Sequence, residues 1–341
     1  MKVTLKVTLQ FLVAAGAALT VALGAPLATT VLGLIAFGVL HNVLELRYVT
    51  GRFAPVLNGR FLAVLLGLIT AIVLCRLAAI VVGQPARTAE ILIGYAVLAA
   101  GCAHALRGWL LGLSGAVLAV AGAVSLTWPA YHFVVLAHLH NVVPLFFLWE
   151  WAATLPPATR RWFRGIQVGW VLVLPSLLLY GVADAALRDV SASAVASFAG
   201  DPAKIVALSA PPGADTVIGA RFLVVFAFLQ TMHYFVWVWF LPRHAPDAAR
   251  AFERRVPWLR GPRAWALGAG LGGVLAMLFA VDYASGRAMY AAFASYHAYL
   301  EFPVLLALLL GADAARSQLV FRETGPGSQE AAAMSTVTRE H

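Results

Sequence analysis

Apolar residues in this chain run in long blocks, cut by short clusters that hold most of the arginines. The blocks fall at 7–24, 27–46, 61–82, 88–106, 109–127, 130–152, 164–183, 219–241, 264–282 and 288–311. Each is long enough, at about 1.5 Å per residue of helix, to cross most of a hydrocarbon layer about 30 Å thick. With no water to bond the backbone there, a spanning segment satisfies its own N–H and C=O groups as an α-helix. The pattern predicts an all-α, polytopic integral membrane bundle of about ten transmembrane helices filling 1–311. The polar remainder, 312–341, carries Gly325-Pro326-Gly327-Ser328 and is expected to be a disordered cytoplasmic tail.

Composition supports that class. Of the 341 residues 62% are hydrophobic and only 11% charged, with a mean hydropathy of +0.85, whereas soluble domains carry about a quarter charged residues. The formal net charge of +9 would suggest nucleic acid in a soluble domain. Here Arg47, Arg52 and Arg60 follow the second block and Arg107 the fourth. Arg160, Arg161 and Arg164 follow the sixth, and Arg243, Arg250, Arg254, Arg255, Arg260 and Arg263 the eighth. The alternate loops, including the Ala/Ser/Gly/Pro-rich stretch 184–218, are poor in positive charge. By the positive-inside rule both termini face the cytoplasm, and the expected partner is the lipid bilayer, with no role for nucleic acid. The expected location is a bacterial inner (plasma) membrane. Lys2 and Lys6 ahead of the first block, with Ala22-Leu23-Gly24-Ala25 at its end, could pass for a signal peptide. The block is longer than a signal core, so a retained first span is expected. Cys75 and Cys102 both sit inside apolar blocks, which argues against a disulfide or a cysteine zinc site.

Chemistry enters with the histidines. His41, His104, His138, His140, His233 and His297 all lie in blocks two, four, six, eight and ten, which run in one direction. Imidazole is costly inside a membrane unless something binds it, so convergence of these side chains at one depth would make a metal or cofactor site. Two of them have a carboxylate one turn on, His41 with Glu45 and His297 with Glu301, and residues four apart share a helix face. Such a carboxylate can be a ligand, or can fix the ring of a metal-bound histidine from another helix. The bland alternative is a His/Glu pair that only ties helices together; two such pairs and further histidines favour a functional centre.

His138 and His140 point to nearly opposite sides of their helix, so only one readily faces a common centre. His140 is preferred, because His140-Asn141-Val142 repeats His41-Asn42-Val43. His132 is expected at the interface and His104 at a surface or in packing, while His244 and His341 lie in a loop and the tail. Around His233, the run Tyr234 to Trp239 is either helix and lipid packing or a wall around a long, flat, apolar substrate. Arg76 is expected to snorkel to the membrane surface, with pairing to a buried carboxylate as the alternative. Glu150 is expected at the interface. Phosphate loops, nucleophile elbows, dinucleotide fingerprints and the dense histidine boxes of membrane desaturases are absent from the sequence.

Four short segments give the chain a resemblance to the Brp/Blh-type β-carotene dioxygenases, which are multispan membrane proteins. Gly38-Val39-Leu40-His41-Asn42-Val43-Leu44-Glu45 is similar to that family's Gly-x-x-His-x-x-x-Asp. His233-Tyr234-Phe235-Val236-Trp237 resembles a later His-aromatic stretch, and His297-Ala298-Tyr299-Leu300-Glu301 a final histidine followed by an acid. A middle-span histidine would be His138 or His140. The departures are Leu229, where the family has a second histidine, Leu40 and Asn42 for its Pro and Gly around the early histidine, and Glu45 for its Asp. The resemblance implies a non-haem iron (Fe2+) held by imidazoles and oxidative cleavage of a polyene by O2. The metal ligands would then be His41, His233, His297 and His140 or His138, with Glu45 and Glu301 as ligand or outer carboxylates. Imidazole also suits copper, zinc and haem. The rival readings are a haem- or quinone-linked membrane cytochrome, a His/Glu transporter or proton relay, and a structural subunit. The substrate expected of the enzyme is an apolar small molecule, in the most specific case a carotenoid.

Overall fold

The structure is a computed structural model that describes residues 2–187 and 195–310; the expected tail, 312–341, lies outside the described residues. Ten helices are long and apolar enough to cross a membrane. They are α1 (Lys2–Gly24), α2 (Pro26–Arg52), α3 (Gly59–Val82), α4 (Gln84–Ala105), α5 (Trp109–Thr127), α6 (Pro129–Thr154), α7 (Pro157–Leu179), α8 (Thr216–His244), α9 (Arg263–Val281) and α10 (Tyr283–Leu310). The chain is a helical membrane protein, and the described residues form no strand. The expected blocks and the helices agree closely. The larger differences are that α1, α7 and α10 begin, and α2 ends, several residues outside their blocks, because helical hydrogen bonding continues where apolar composition stops.

Local sequence explains the breaks. Gly83 (φ 72°) and Gly108 (φ 60°) take the left-handed backbone that lets α3 turn into α4 and α4 into α5. The Asp215 side chain caps α8 by accepting the Ile218 N–H at 2.8 Å. Within α6, Pro144 has no N–H to give the carbonyl of His140, and the Val143 N–H is shared between the carbonyls of Leu139 and His140 instead. Two stretches widen to π-helix, Gly169–Val173 in α7 and Phe235–Phe240 in α8, and each is followed within two residues by a proline, Pro175 or Pro242. The second begins two residues after His233.

The bundle has a centre and a rim. In α8 and α10, 67% and 61% of the most apolar window is buried, against 6% in α5. Helix α8 packs on α1, α2, α6 and α7, and α10 packs on α2, α3, α4 and α9, so α2 touches both central helices. Close approach depends on small residues: a Cβ on Gly38 would stand 2.9 Å from the Tyr290 ring of α10. One on Gly51 would meet the Ala248 carbonyl oxygen at 2.1 Å, where the short helix Pro246–Arg255 crosses the end of α2.

One charged residue departs from expectation. Arg76 does not snorkel; its Nε donates to Glu90 at 2.7 Å and its Nη1 to the Ala291 carbonyl at 2.5 Å. The α3–α4 hairpin brings the buried Glu90 alongside, and a carboxylate held that deep requires a cation. Glu150, at the end of α6, accepts from Arg52 Nη2 at 2.5 Å.

Candidate metal centre

Four helices bring His41 and Glu45 (α2), His140 (α6), His233 (α8), and His297 and Glu301 (α10) together in the core. His41, Glu45, His233, His297 and Glu301 are at most 1% exposed. One ligand atom from each of His41, Glu45, His140, His233 and His297 lies within 4.8 Å of all the others, a group that could hold a metal ion. Metal–nitrogen bonds of about 2.0–2.2 Å place the donors around one ion roughly 3–4 Å apart, so small side-chain shifts would close the shell.

Hydrogen bonds decide which face each ring presents. His41 Nδ1 is 3.0 Å from the Phe37 carbonyl oxygen. A carbonyl only accepts, so Nδ1 carries the hydrogen and Nε2, which has no partner among the described residues, is left with its lone pair. His140 Nδ1 lies 2.9 Å from Glu301 Oε2, which fixes the same tautomer when that carboxylate is ionised. His140 Nε2 then points at His297 Nε2, 3.1 Å away. Two ring nitrogens that close share a hydrogen or a cation. The ring centroids of His140 and His233 are 4.5 Å apart, and those of His41 and His297 4.9 Å.

The carboxylates add charge. His233 Nε2 is 3.6 Å from Glu45 Oε2, and the Glu45 and Glu301 groups interact directly with each other. Apart from each other, neither Glu45 oxygen nor Glu301 Oε1 has a hydrogen-bond partner among the described residues. Each such atom costs about 1–3 kcal/mol if nothing meets it. Arg76, deep in the same bundle, pairs with Glu90 instead. A divalent cation would answer both the open lone pairs and the two carboxylates, so the donor set fits a metal of the kind that imidazole and carboxylate bind.

His138, carried in the sequence reading as the alternative to His140, does not face this centre. Its Nε2 lies 2.7 Å from the Ser209 carbonyl and its ring sits between Phe222 and Phe226. Two steps along a helix turn a side chain by about 200°, so the pair could not both point inward. His104 stacks on Phe61 with centroids 4.0 Å apart. Of the aromatics after His233, Trp237 is a core residue against Tyr48 and Phe147. Tyr234 has a different position, which composition did not reveal. Its ring is 4.7 Å from that of His41, and its hydroxyl bonds Gln230 Nε2 at 2.7 Å. It also lines a groove of about 1160 Å3 between α1, α2 and α8, walled almost entirely by apolar side chains from Lys6 to Ala25 along one edge.

No protein-family description, curated protein or solved structure matches this chain.

Proposed function

We propose that the chain is a membrane-embedded oxidoreductase that uses a histidine-held non-haem iron and O2 on a lipid-soluble, carotenoid-like substrate. The observation that carries this reading is the gathering of four imidazoles around one point, two of which, His41 and His140, are turned by outer hydrogen bonds so that Nε2 faces inward, with two carboxylates to balance a divalent charge. The four-segment resemblance to Brp/Blh-type dioxygenases supports iron over zinc and copper. A bound iron would supply the one-electron chemistry that lets O2 attack a polyene.

The protein's own part is positional. The Phe37 carbonyl and Glu301 fix the rings of His41 and His140, and dense packing keeps bulk water from the core. The groove beside Tyr234 runs along α1, so an extended apolar molecule entering sideways from the bilayer would lie beside the centre at mid-depth. A bacterial plasma membrane fits the arginine pattern. A haem needs a flat slot between two axial imidazoles, and here four imidazoles and two carboxylates crowd that space. A proton relay strings its groups across the membrane, whereas these are gathered at one level.

The test is elemental analysis and spectroscopy of purified protein, beside expression in a host that accumulates carotene. The expected result is about one iron per wild-type chain, with near-complete loss in His233→Ala. Wild-type cells should bleach and accumulate an aldehyde cleavage product, and the variant should not. A Soret band, stoichiometric zinc, or full iron in His233→Ala would overturn the proposal.

A further inference from the structure

The groove between α1, α2 and α8 is apolar along most of its length, but its two ends differ. Its wall on α1 runs from Lys6 to Gly24, roughly 27 Å at the rise of a helix and close to a whole hydrocarbon layer of about 30 Å. Polar groups along it are mostly spent. The Thr29 hydroxyl bonds the Val21 carbonyl at 3.0 Å, that of Thr231 bonds the Ala227 carbonyl at 2.8 Å, and that of Tyr234 takes the Gln230 amide. At the far end the lining is Val21, Gly24, Ala25 and Ala28, and the wall carries no charge there.

The near end is cationic. Among the described residues of the wall only Lys6 is charged, and it is exposed, with Gln10 one turn on along the same face. Trp239 also lines the groove, and the Arg243 guanidinium lies over its ring, 4.6 Å from the centre. Lys6 and Arg243 both stand near enough to His244 to act on its charge. Neither has an ion-pair partner among the described residues. Glu150, Asp247 and Glu253, which belong to the same end of the bundle, are taken by Arg52, Arg250 and Arg47. This mouth therefore holds positive charge with no protein anion to answer it.

We infer that the groove takes a long, extended chain with a single carboxylate end, the carboxylate at Lys6 and the chain running toward Ala25. A second charge would have no partner at the apolar end, and a plain hydrocarbon gains nothing from the cations. A phospholipid is a weaker fit: its acyl chains stop near the midplane and would leave half the groove unfilled. Tyr234 lies nine residues before Arg243, roughly 13 Å along α8, so the chain passes it well inside the groove. The charged end then sets which part of the chain lies beside His41, whose ring is 4.7 Å from that of Tyr234. That this occupant is the substrate rests on the proposed function; that it binds does not.

Energy transfer from the tryptophans, Trp239 of the wall among them, to trans-parinaric acid and to its methyl ester tests it. The full-length protein is held in phosphatidylcholine nanodiscs, with a chelator present, at a pH that keeps the acid ionised. No iron is needed, so a failure here is distinct from a failure of the oxidoreductase reading, which iron content judges. The acid should bind saturably and about three- to tenfold tighter than the ester at low salt, with the gap closing as salt rises. Lys6→Gln should bring the acid down to the affinity of the ester and leave the ester unchanged. Ala17→Trp, which fills the groove midway, should weaken both. Lys6 is exposed, so its variant keeps the fold and carries the test if Ala17→Trp does not fold. Equal affinity for acid and ester, or unchanged acid binding in Lys6→Gln, would overturn the inference. So would unchanged binding in a folded Ala17→Trp. Loss of acid binding on adding about one equivalent of phosphatidylglycerol would overturn it too, since a lipid headgroup would then hold the cations.

Discussion

His140 and Glu301 lie 161 positions apart in the chain and meet at 2.9 Å in the middle of the bundle. The contact joins α6 to α10 and turns the far nitrogen of His140 toward His297. Glu301 lies one turn beyond His297, so a single helix supplies one candidate ligand and the group that orients another.

Glu301→Gln should therefore fold but bind metal about 10–100-fold more weakly, the usual result of losing an orienting carboxylate. Metal titration of purified protein reads this. Affinity equal to wild type would mean that Glu301 only bonds helices together.

On the proposed reading, removing the bound ion should loosen the whole core, because four helices converge on the His/Glu cluster that would hold it. A ligand at about 100–1,000 times its dissociation constant adds roughly 3–4 kcal/mol to the folded state. Thermal unfolding in detergent should shift down on chelation and return when the metal is restored. His41→Ala should unfold at the same temperature with and without chelator.

The Arg76–Glu90 pair is a separate matter of stability. Glu90→Gln leaves the partly buried Arg76 guanidinium with the Ala291 carbonyl but no counter-charge and should cost up to about 3–5 kcal/mol, whereas the double change Arg76→Met with Glu90→Met should cost much less. Equilibrium unfolding of the single and double variants decides it. Additive losses would count against the pair as a coupled unit.

Gly51→Val should destabilise the fold, because its side chain would drive into the Ala248 carbonyl. Overpacking of this kind costs about 1–3 kcal/mol or more. Gly16→Val, where the added carbon meets nothing within 4 Å, serves as the neutral control in the same unfolding assay.

Glu253 gives a pH dependence outside the spanning helices. The Gly261 N–H, 2.9 Å away, and the Arg47 guanidinium hold its carboxyl below the ordinary value of 4.5. A lowered folded value means that the contribution is present above about 4.5 and is lost as pH falls through the folded value. Glu253→Gln should flatten the acid limb of a stability–pH curve by a small amount, since the group is near the surface. An unchanged acid limb would show that the contact contributes nothing.

Much of the site was legible because helical spacing is rigid. His41 with Glu45 and His297 with Glu301 share faces by arithmetic alone; the first pair and His297 are in the cluster, and Glu301 bonds its member His140. The choice between His138 and His140 rested on a three-residue echo, and the structure sends His140 inward. Pairings across helices were not legible. Nothing near Arg76 or Glu150 in sequence names Glu90 or Arg52 as its partner. Tyr234 read as one aromatic among several until its ring was found between a groove and His41.

The sequence alone determined that the chain crosses a membrane about ten times as helices. In hydrocarbon every backbone polar group must be met within its own segment, so local composition suffices to set the elements. Only the tertiary structure decided which faces of α2, α6, α8 and α10 meet. That depends on how side chains from distant segments pack, and on where small residues such as Gly38 let backbones draw close. The buried imidazoles and carboxylates come to one point through those packing choices, which no single helix encodes.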